Sequence, residues 1–214
     1  MIITVKGKEK TLTKETVRDY KYTAFNYLDQ CLPLIGSSDV RDMVSAMWEK
    51  APDYFFVVPA SVSGKYHGDW STDVGGLIRH VIMGTEVVDD LAATFELNDE
   101  ESDCAIAALL CHDILKYGID FDYRYLDMHP FMPRAYFGYK HSEGYIGQDL
   151  VSLDAFETVM SAIERHMGNL KEGKWTSVGG IKPETSVQKA VHLADYIASR
   201  PTLVSTRFIS GFDY

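Results

Sequence analysis

Apolar side chains recur at helical spacing in one segment of this chain after another, and this periodicity constrains the fold more than any other feature. It predicts helices over residues 14–34, 38–50, 74–94, 99–116, 153–167 and 183–200. Asn98 and Glu101 have the spacing of a capping box at the start of the fourth helix, and Pro183 suits the first turn of the last. We therefore expect an all-α protein.

The first twelve residues depart from this pattern. They alternate apolar and polar side chains around Gly7, which favours a short β-hairpin. Residues 51–73 contain prolines, glycines and serines that break helical periodicity, and we interpret them as an ordered connector. We expect a single globular domain with three parts, namely an N-terminal helical extension and connector (1–65), a core (66–200) and a C-terminal tail (201–214).

Charge and hydropathy narrow the function. The formal net charge of −10 argues against binding to extended duplexes, because such binding depends on many Lys and Arg contacts to phosphates. A small nucleotide or a short single strand is a more suitable ligand for a chain with this charge.

No apolar run approaches the length of a membrane helix and the N-terminus lacks a signal peptide's hydrophobic region, so we expect a cytoplasmic protein without a membrane partner. Three cysteines, Cys31, Cys104 and Cys111, are interpreted as reduced packing residues.

Several histidines and carboxylates lie beside apolar helical stripes. His112 and Asp113 end the apolar run AIAALLCHD, His80 follows Gly75–Gly76 on the preceding predicted helix, and Asp195 lies on the last one. A buried imidazole or carboxylate must be paired or must ligate a metal, because an isolated buried charge is costly. This mixture of nitrogen and oxygen donors suits a divalent ion such as Mn, Fe, Zn, Mg or Ni.

The motifs GGLIRH, CHDILK and VHLADYIASR, with isolated histidines between the last two, resemble the H…HD…D signature of HD-domain phosphohydrolases. The resemblance covers about residues 66–200. It implies an α-helical bundle in which His80, His112, Asp113 and Asp195 bind one metal ion. More distantly, the layout is similar to that of the bacterial HD-type 3′-to-5′ exoribonucleases.

The same resemblance implies a second metal ion. His141 and His166 match the positions that hold this ion in binuclear family members, with Asp113 as the bridge. However, the stretch from residue 117 to residue 140 is longer and more aromatic than a compact HD core requires, and it contains His129. His129 could therefore replace His141 as the ligand.

Two residues near these ligands are candidates for roles in catalysis. Lys116 shares the predicted helix face of the His–Asp pair and could contact a phosphate oxygen, or it could be a helix C-terminal charge that the helix dipole favours. His67 could orient substrate or act as a general acid, or it could form a structural hydrogen bond. His192, one turn before Asp195, is either a core histidine or a partner that orients a metal ligand.

Substrate contacts are expected from two further segments. Ser63 and Lys65 in the connector offer a hydroxyl and an ammonium group to a phosphate. Arg124, Arg134 and Lys140 alternate with aromatic residues, which suggests a pocket for base and phosphate. The other interpretation is a packed aromatic lid with a solvated basic rim.

These patterns predict a metal-dependent hydrolase with one or two divalent ions, which cleaves a phosphomonoester or phosphodiester of a nucleotide or a short single-stranded nucleic acid. A nuclease is the closest analogy. Two alternatives use the same scaffold, namely a non-catalytic module that senses a nucleotide and a di-iron HD oxygenase. The intact ligand set argues against the sensing module, and metal analysis would distinguish the oxygenase.

Overall fold

The structure is a computed structural model that describes residues 1–62, 67–121, 127–138, 150–172, 174–176 and 181–202. The described part contains the helices α1 (Lys14–Cys31), α2 (Ser38–Glu49), α3 (Gly76–Leu91), α4 (Asp99–Cys111), α5 (Met132–Gly138), α6 (Leu153–Glu164) and α7 (Ser186–Ala198). Short 3-10 turns span Leu32–Leu34, Asp53–Phe56, Asp69–Ser71 and His129–Phe131. The predicted all-α fold is therefore confirmed.

Two small antiparallel hairpins accompany the helices. Strands β1 (Ile2–Val5) and β2 (Lys8–Thr11) pair in the register Ile2 to Thr11, which confirms the predicted N-terminal hairpin. Strands β3 (Leu170–Lys171) and β4 (Lys174–Trp175) form the second hairpin, which no pattern in the sequence predicts.

Helix α4 is the centre of the bundle. Its residues from Asp103 to Cys111 are all buried, as expected for a helix that is apolar on every side. It contacts α2, α3, α6 and α7, and α3 packs in turn against α7. The C-terminal end of α4 therefore lies among the helices that carry the other candidate ligands.

Gly75 and Gly76 lie at the start of α3, and each position requires glycine for a different reason. Gly75 has a φ of 71°, a left-handed conformation that L-residues with side chains rarely adopt. A Cβ atom on Gly76 would lie 2.0 Å from the carbonyl oxygen of Ser71. The connector also supplies partners for the first turn, since Gly75 N–H donates to Val57 O and Leu77 N–H to Val58 O, each at 2.9 Å. This turn fixes the start of the helix that carries His80.

Replacing Gly76 with alanine is expected to destabilise the protein by about 3 kcal/mol or more, because the clash is with backbone that cannot rotate away. Urea unfolding followed by circular dichroism measures this. Gly36→Ala is the control, since its Cβ would meet only Asp103 carboxylate oxygens at 3.6 and 3.7 Å. A Gly76→Ala protein as stable as the Gly36→Ala protein would contradict the close packing.

The N-terminal extension is joined to α4 and the turn after it by buried hydrogen bonds. Asp103 on α4 accepts the N–H groups of Gly36 and Ser37, both at 2.8 Å. Trp48 Nε1 donates to Leu110 O at 2.9 Å. Tyr54 accepts the N–H of Tyr117 at 3.1 Å and donates to Gly118 O at 2.7 Å. The extension thus supports the segment that carries His112 and Asp113.

Most predicted helix boundaries differ from the observed ones by a few residues, and the structure shows the cause for two of them. The fourth helix ends at Cys111 instead of Lys116, because the following turns are closed by tighter hydrogen bonds such as Lys116 N–H to Asp113 O and because Tyr54 engages the backbone of Tyr117. The last helix begins at Ser186, after Pro183, because Thr185 and Gln188 form a capping box there.

None of the described helices is both long and apolar enough to cross a membrane. Cys31, Cys104 and Cys111 are buried, in agreement with their predicted role as packing residues.

Candidate metal centre

Three helices bring the first set of candidate ligands together. His80 lies on α3, Asp195 lies on α7, and His112 and Asp113 immediately follow α4. His80 Nε2 is 3.0 Å from Asp195 Oδ1, and His112 Nε2 is 3.6 Å from the same oxygen. His112 Nε2 is also 3.5 Å from Asp113 Oδ2. The four residues predicted to bind one ion therefore surround one small volume.

The other carboxylate oxygen of Asp113 faces a second set of imidazoles. His129 Nε2 lies 3.0 Å and His166 Nε2 lies 3.9 Å from Asp113 Oδ1. The two imidazole nitrogens are 3.4 Å apart. Asp113 therefore has one oxygen toward each group, which is the arrangement of a bridging carboxylate.

The spacing of these donors fits metal ions. With ligand bonds of roughly 2.0 to 2.2 Å, donor atoms around one ion lie about 3.0 to 3.6 Å apart. Within the described residues, donor atoms of His80, His112 and Asp113 lie within 4.8 Å of one another, and so do donor atoms of Asp113, His129 and His166. Each group could hold one ion.

Hydrogen bonds to carbonyls set the tautomers of two of these imidazoles. His112 Nδ1 is 2.8 Å from Leu109 O and His166 Nδ1 is 2.7 Å from Ile163 O. Since a carbonyl oxygen only accepts, each Nδ1 must carry the hydrogen, and each neutral ring then directs its Nε2 lone pair into the cluster. His112 Nε2 is buried and has no hydrogen-bond partner among the described residues. Such a buried lone pair fits a metal ligand.

The electrostatics keep the carboxylates ionised. Burial by itself would raise the pKa of Asp113, but Lys116, His112 and His129 hold that pKa well below its usual range. The pKa of Asp195 is likewise well below its usual range, since His112 and His80 outweigh the effect of burial. The buried carboxylate of Asp113 and the half-buried carboxylate of Asp195 therefore stay negative in the cluster, as cation binding requires.

His166 and His112 differ in charge preference. Burial and the neighbouring His112 lower the pKa of His166 to about 3, so its ring is neutral at neutral pH. Burial would also lower the pKa of His112, but Asp113 and Asp195 raise it overall. The carboxylates thus favour positive charge beside His112, which a proton or a metal ion can supply.

The structure places His129, on the 3-10 turn His129–Phe131, at the second set of donors. His141, the other candidate from the sequence, lies outside the described residues, and so do Ser63, Lys65, Arg124 and Lys140. The sequence allows either His141 or His129 as the ligand of the second ion. The position of His129, close to Asp113 and His166, favours His129.

Lys116 lies beside the cluster but not on a shared helix face with His112, because the helix has already ended. Its Nζ atom is 2.5 Å from Asp113 Oδ2, and its side chain is 11% exposed. The ammonium group thus sits at the edge of the site, where it compensates the charge of Asp113 and is near enough to reach a bound anion.

His67 contacts the first set of ligands, with its ring centroid 5.1 Å from that of His80. Burial and then the nearby His80 lower the pKa of His67 to about 3. A ring that is neutral at neutral pH holds no dissociable imidazolium proton. The structure therefore favours the orienting role for His67 over the general-acid role.

One contact that supports the site was predicted from the sequence, and others had no signal there. His192 Nδ1 donates to His166 O at 2.7 Å, which supports its predicted role as a partner that orients a ligand. The contacts of Tyr54 with the turn after Asp113 join residues more than 60 positions apart, and no local pattern marks them. Tyr54 could have been singled out only as an aromatic residue with a polar tip in an apolar segment.

Among the described residues, some of the aromatic side chains expected near substrate pack against other rings. Tyr54 and Phe121 stack with ring centroids 4.6 Å apart, and Tyr117 packs edge-on against both. Tyr117 and Phe137 are buried. The packed lid therefore describes these rings better than a base-stacking surface does.

A helical bundle around a cluster of histidines and carboxylates is typical of helical proteins that bind metal ions. A family model described as HD domain matches residues 77–200, which is more than half of the chain. The chain belongs to the HD domain family, whose members bind divalent metals and include metal-dependent phosphohydrolases. Searches of curated proteins and of solved structures found no match.

Proposed function

We propose that this chain is a binuclear metal-dependent phosphohydrolase. One ion would be held by His80, His112, Asp113 and Asp195, and the other by Asp113, His129 and His166. The observation that carries the proposal is the orientation of Asp113, whose Oδ2 faces His112 while its Oδ1 faces His129 and His166. A carboxylate shared in this way would hold two ions close together.

The chemistry that divalent ions supply to phosphoester hydrolysis is activation of water and neutralisation of phosphoryl charge. The residues of the chain provide the rest. His112 and His166 are held in one tautomer by carbonyls, so their lone pairs are directed before any ligand binds. Lys116 adds a fixed positive charge at the rim, where it would bind phosphoryl oxygens and stabilise charge that develops on them.

The proposed substrate is a phosphomonoester or phosphodiester of a nucleotide or a short single strand, with 3′-end cleavage as the closest analogy. The net charge of −10 supports a small substrate over an extended duplex. Ser63, Lys65, Arg124 and Lys140 remain proposed contacts to such a substrate, and His67 would orient it. Arg134 is less suited to this role, because it is already paired with Glu157 and Glu164.

The proposed activity is tested with purified protein stripped of metal and then reloaded with manganese. We expect hydrolysis of an aryl phosphate or of its diester to depend on the added metal. A panel of nucleotides, cyclic dinucleotides and short oligonucleotides then identifies the substrate class. Tight binding of a nucleotide without turnover of any of these compounds would contradict the hydrolase and favour the sensing module. Oxygen consumption by the iron-loaded protein without phosphoester cleavage would favour the oxygenase.

Replacing Lys116 with methionine is expected to lower kcat/KM by about 100-fold or more while both ions remain bound, because a charge aimed at the phosphoryl group acts mainly in the transition state. Loss of the Lys116 ammonium group should leave the affinity of the site for metal unchanged or increase it. Steady-state kinetics and elemental analysis of the same samples measure both effects.

Lys189→Met is the matched control, since Lys189 is exposed on α7 and the same charge is removed. The control is expected to retain wild-type kinetics. Wild-type kcat/KM in the Lys116→Met protein would reduce Lys116 to a charge partner of Asp113.

A further inference from the structure

Arg134 forms a clamp between two elements of the proposed second ion site. Its Nη1 atom donates to both carboxylate oxygens of Glu157 at 2.8 Å. Its Nε and Nη2 atoms donate to the two oxygens of Glu164 at 2.5 and 3.3 Å. One guanidinium group thus binds two carboxylates. The paired Nε and Nη2 contacts to Glu164 fix the orientation of the guanidinium as well as its distance, and Nη1 adds a contact to Glu157.

The clamp joins the segments that carry the two imidazoles. Arg134 is on α5, which directly follows the 3-10 turn containing His129. Glu157 and Glu164 are both on α6, whose end lies just before His166. The contact therefore ties the element of one imidazole to the element of the other, whose Nε2 atoms lie 3.4 Å apart.

The segment with His129 needs such a support. The 3-10 turn and α5 together span only ten residues, of which two are prolines, Pro130 and Pro133. Helices this short have little stability of their own. Gly138 lies against Phe156 of α6 at the end of α5. An apolar contact of this kind sets no exact position, whereas the bidentate ion pair of Arg134 with Glu164 does.

We infer that Arg134, through Glu157 and Glu164, is a positioning residue that holds His129 against His166 so that both ligate the second ion. The inference rests on the proposed binuclear site. Arg134 does not touch substrate or metal; it acts through His129. Outer contacts of this kind matter because a ligand displaced by a fraction of an ångström no longer meets the ion at bonding distance.

The test is a manganese titration of the metal-free full-length protein, in which calorimetry and elemental analysis report the two ions separately. For Arg134→Met we expect the affinity for the second ion to fall by about 10- to 100-fold, the usual cost of removing an outer partner, and the affinity for the first ion to stay within twofold. In a His129→Ala background, where the second ion is already lost, Arg134→Met should leave the affinity for the first ion unchanged. A role in general stability would instead weaken both ions and remain visible in that background.

Two further variants keep the result interpretable. Arg18→Met removes an ion-paired arginine on α1, far from these elements in the chain, and should leave both affinities unchanged. Glu157→Gln makes a milder change at a side chain that is 52% exposed, and should weaken the second ion less than Arg134→Met does. Circular dichroism and thermal melts confirm that each variant is folded.

The outcomes separate the clamp from the proposed function. If the wild type binds two ions and the folded Arg134→Met and Glu157→Gln variants both bind the second ion normally, the clamp is refuted and the binuclear site stands. Equal weakening of both ions by Arg134→Met would also refute it. If the wild type binds a single ion, the clamp and the binuclear proposal both fail.

Discussion

Asp113→Ala is expected to abolish binding of both ions and to lower phosphoester hydrolysis by more than about 100-fold. The carboxylate has an oxygen toward each set of imidazoles, so its loss removes a ligand from each ion. Removal of a mere outer partner already costs about 10- to 100-fold in affinity or activity, and a shared ligand should cost more. Elemental analysis after gel filtration and kinetics with added manganese measure the two effects.

The fold of this variant must be checked, since Asp113 is buried and paired with Lys116. Asp113→Asn keeps the shape of the side chain while it removes the negative charge, and it should lose metal in the same way. Circular dichroism and thermal melts of both variants report whether they fold. A folded Asp113→Ala protein that keeps its full metal content would contradict the assignment of Asp113 as the bridge.

His129→Ala is expected to remove the second ion and to lower activity by about 100-fold, while the first ion stays bound. The reason is that His129 Nε2 lies 3.0 Å from Asp113 Oδ1 and 3.4 Å from His166 Nε2. His166→Ala should have the same effect. Metal stoichiometry by elemental analysis and steady-state kinetics provide the readout.

His141→Ala is the decisive comparison, because the sequence motif alone assigns His141 to the second ion. We expect this variant to retain two ions. Loss of the second ion in His141→Ala together with its retention in His129→Ala would reverse the assignment.

The helices that hold the first set of ligands could be predicted from the sequence because their signals are local. His80 and Asp195 each lie beside an apolar stripe, and His112 and Asp113 close an apolar run, so periodicity alone places them at the core. The capping box of Asn98 and Glu101 was also readable from spacing, and the structure contains it. Each of these features depends on residues a few positions apart.

The predicted end of α4 at Lys116 is wrong for a physical reason. Ile114 and Leu115 are buried although they follow the helix, so the apolar pattern continues past Cys111 without a break. The hydroxyl of Tyr54, from a distant part of the chain, accepts the N–H of Tyr117 that a continuing helix would use. Periodicity reports burial, and burial here does not stop where the helix stops.

The second set of ligands was harder to predict because His129 lies in a short turn without helical periodicity. The choice between His129 and His141 depends on how the segment between α4 and α6 folds back, which is a long-range property. Arg134 illustrates the same difficulty, since a cation among aromatics suggested substrate binding. Its glutamates are seven residues apart on one face of α6, a spacing that becomes meaningful only when the partner helix is known.

Anomalous diffraction from crystals soaked in manganese tests the central claim most directly. From the proposed binuclear site we expect two peaks about 3.5 to 4 Å apart, one on each side of Asp113. The first should lie at bonding distance from His112 and Asp195, and the second at bonding distance from His129 and His166. A structure at full manganese occupancy with no peak at bonding distance from Asp113, or with a single peak that His129 and His166 do not contact, would contradict it.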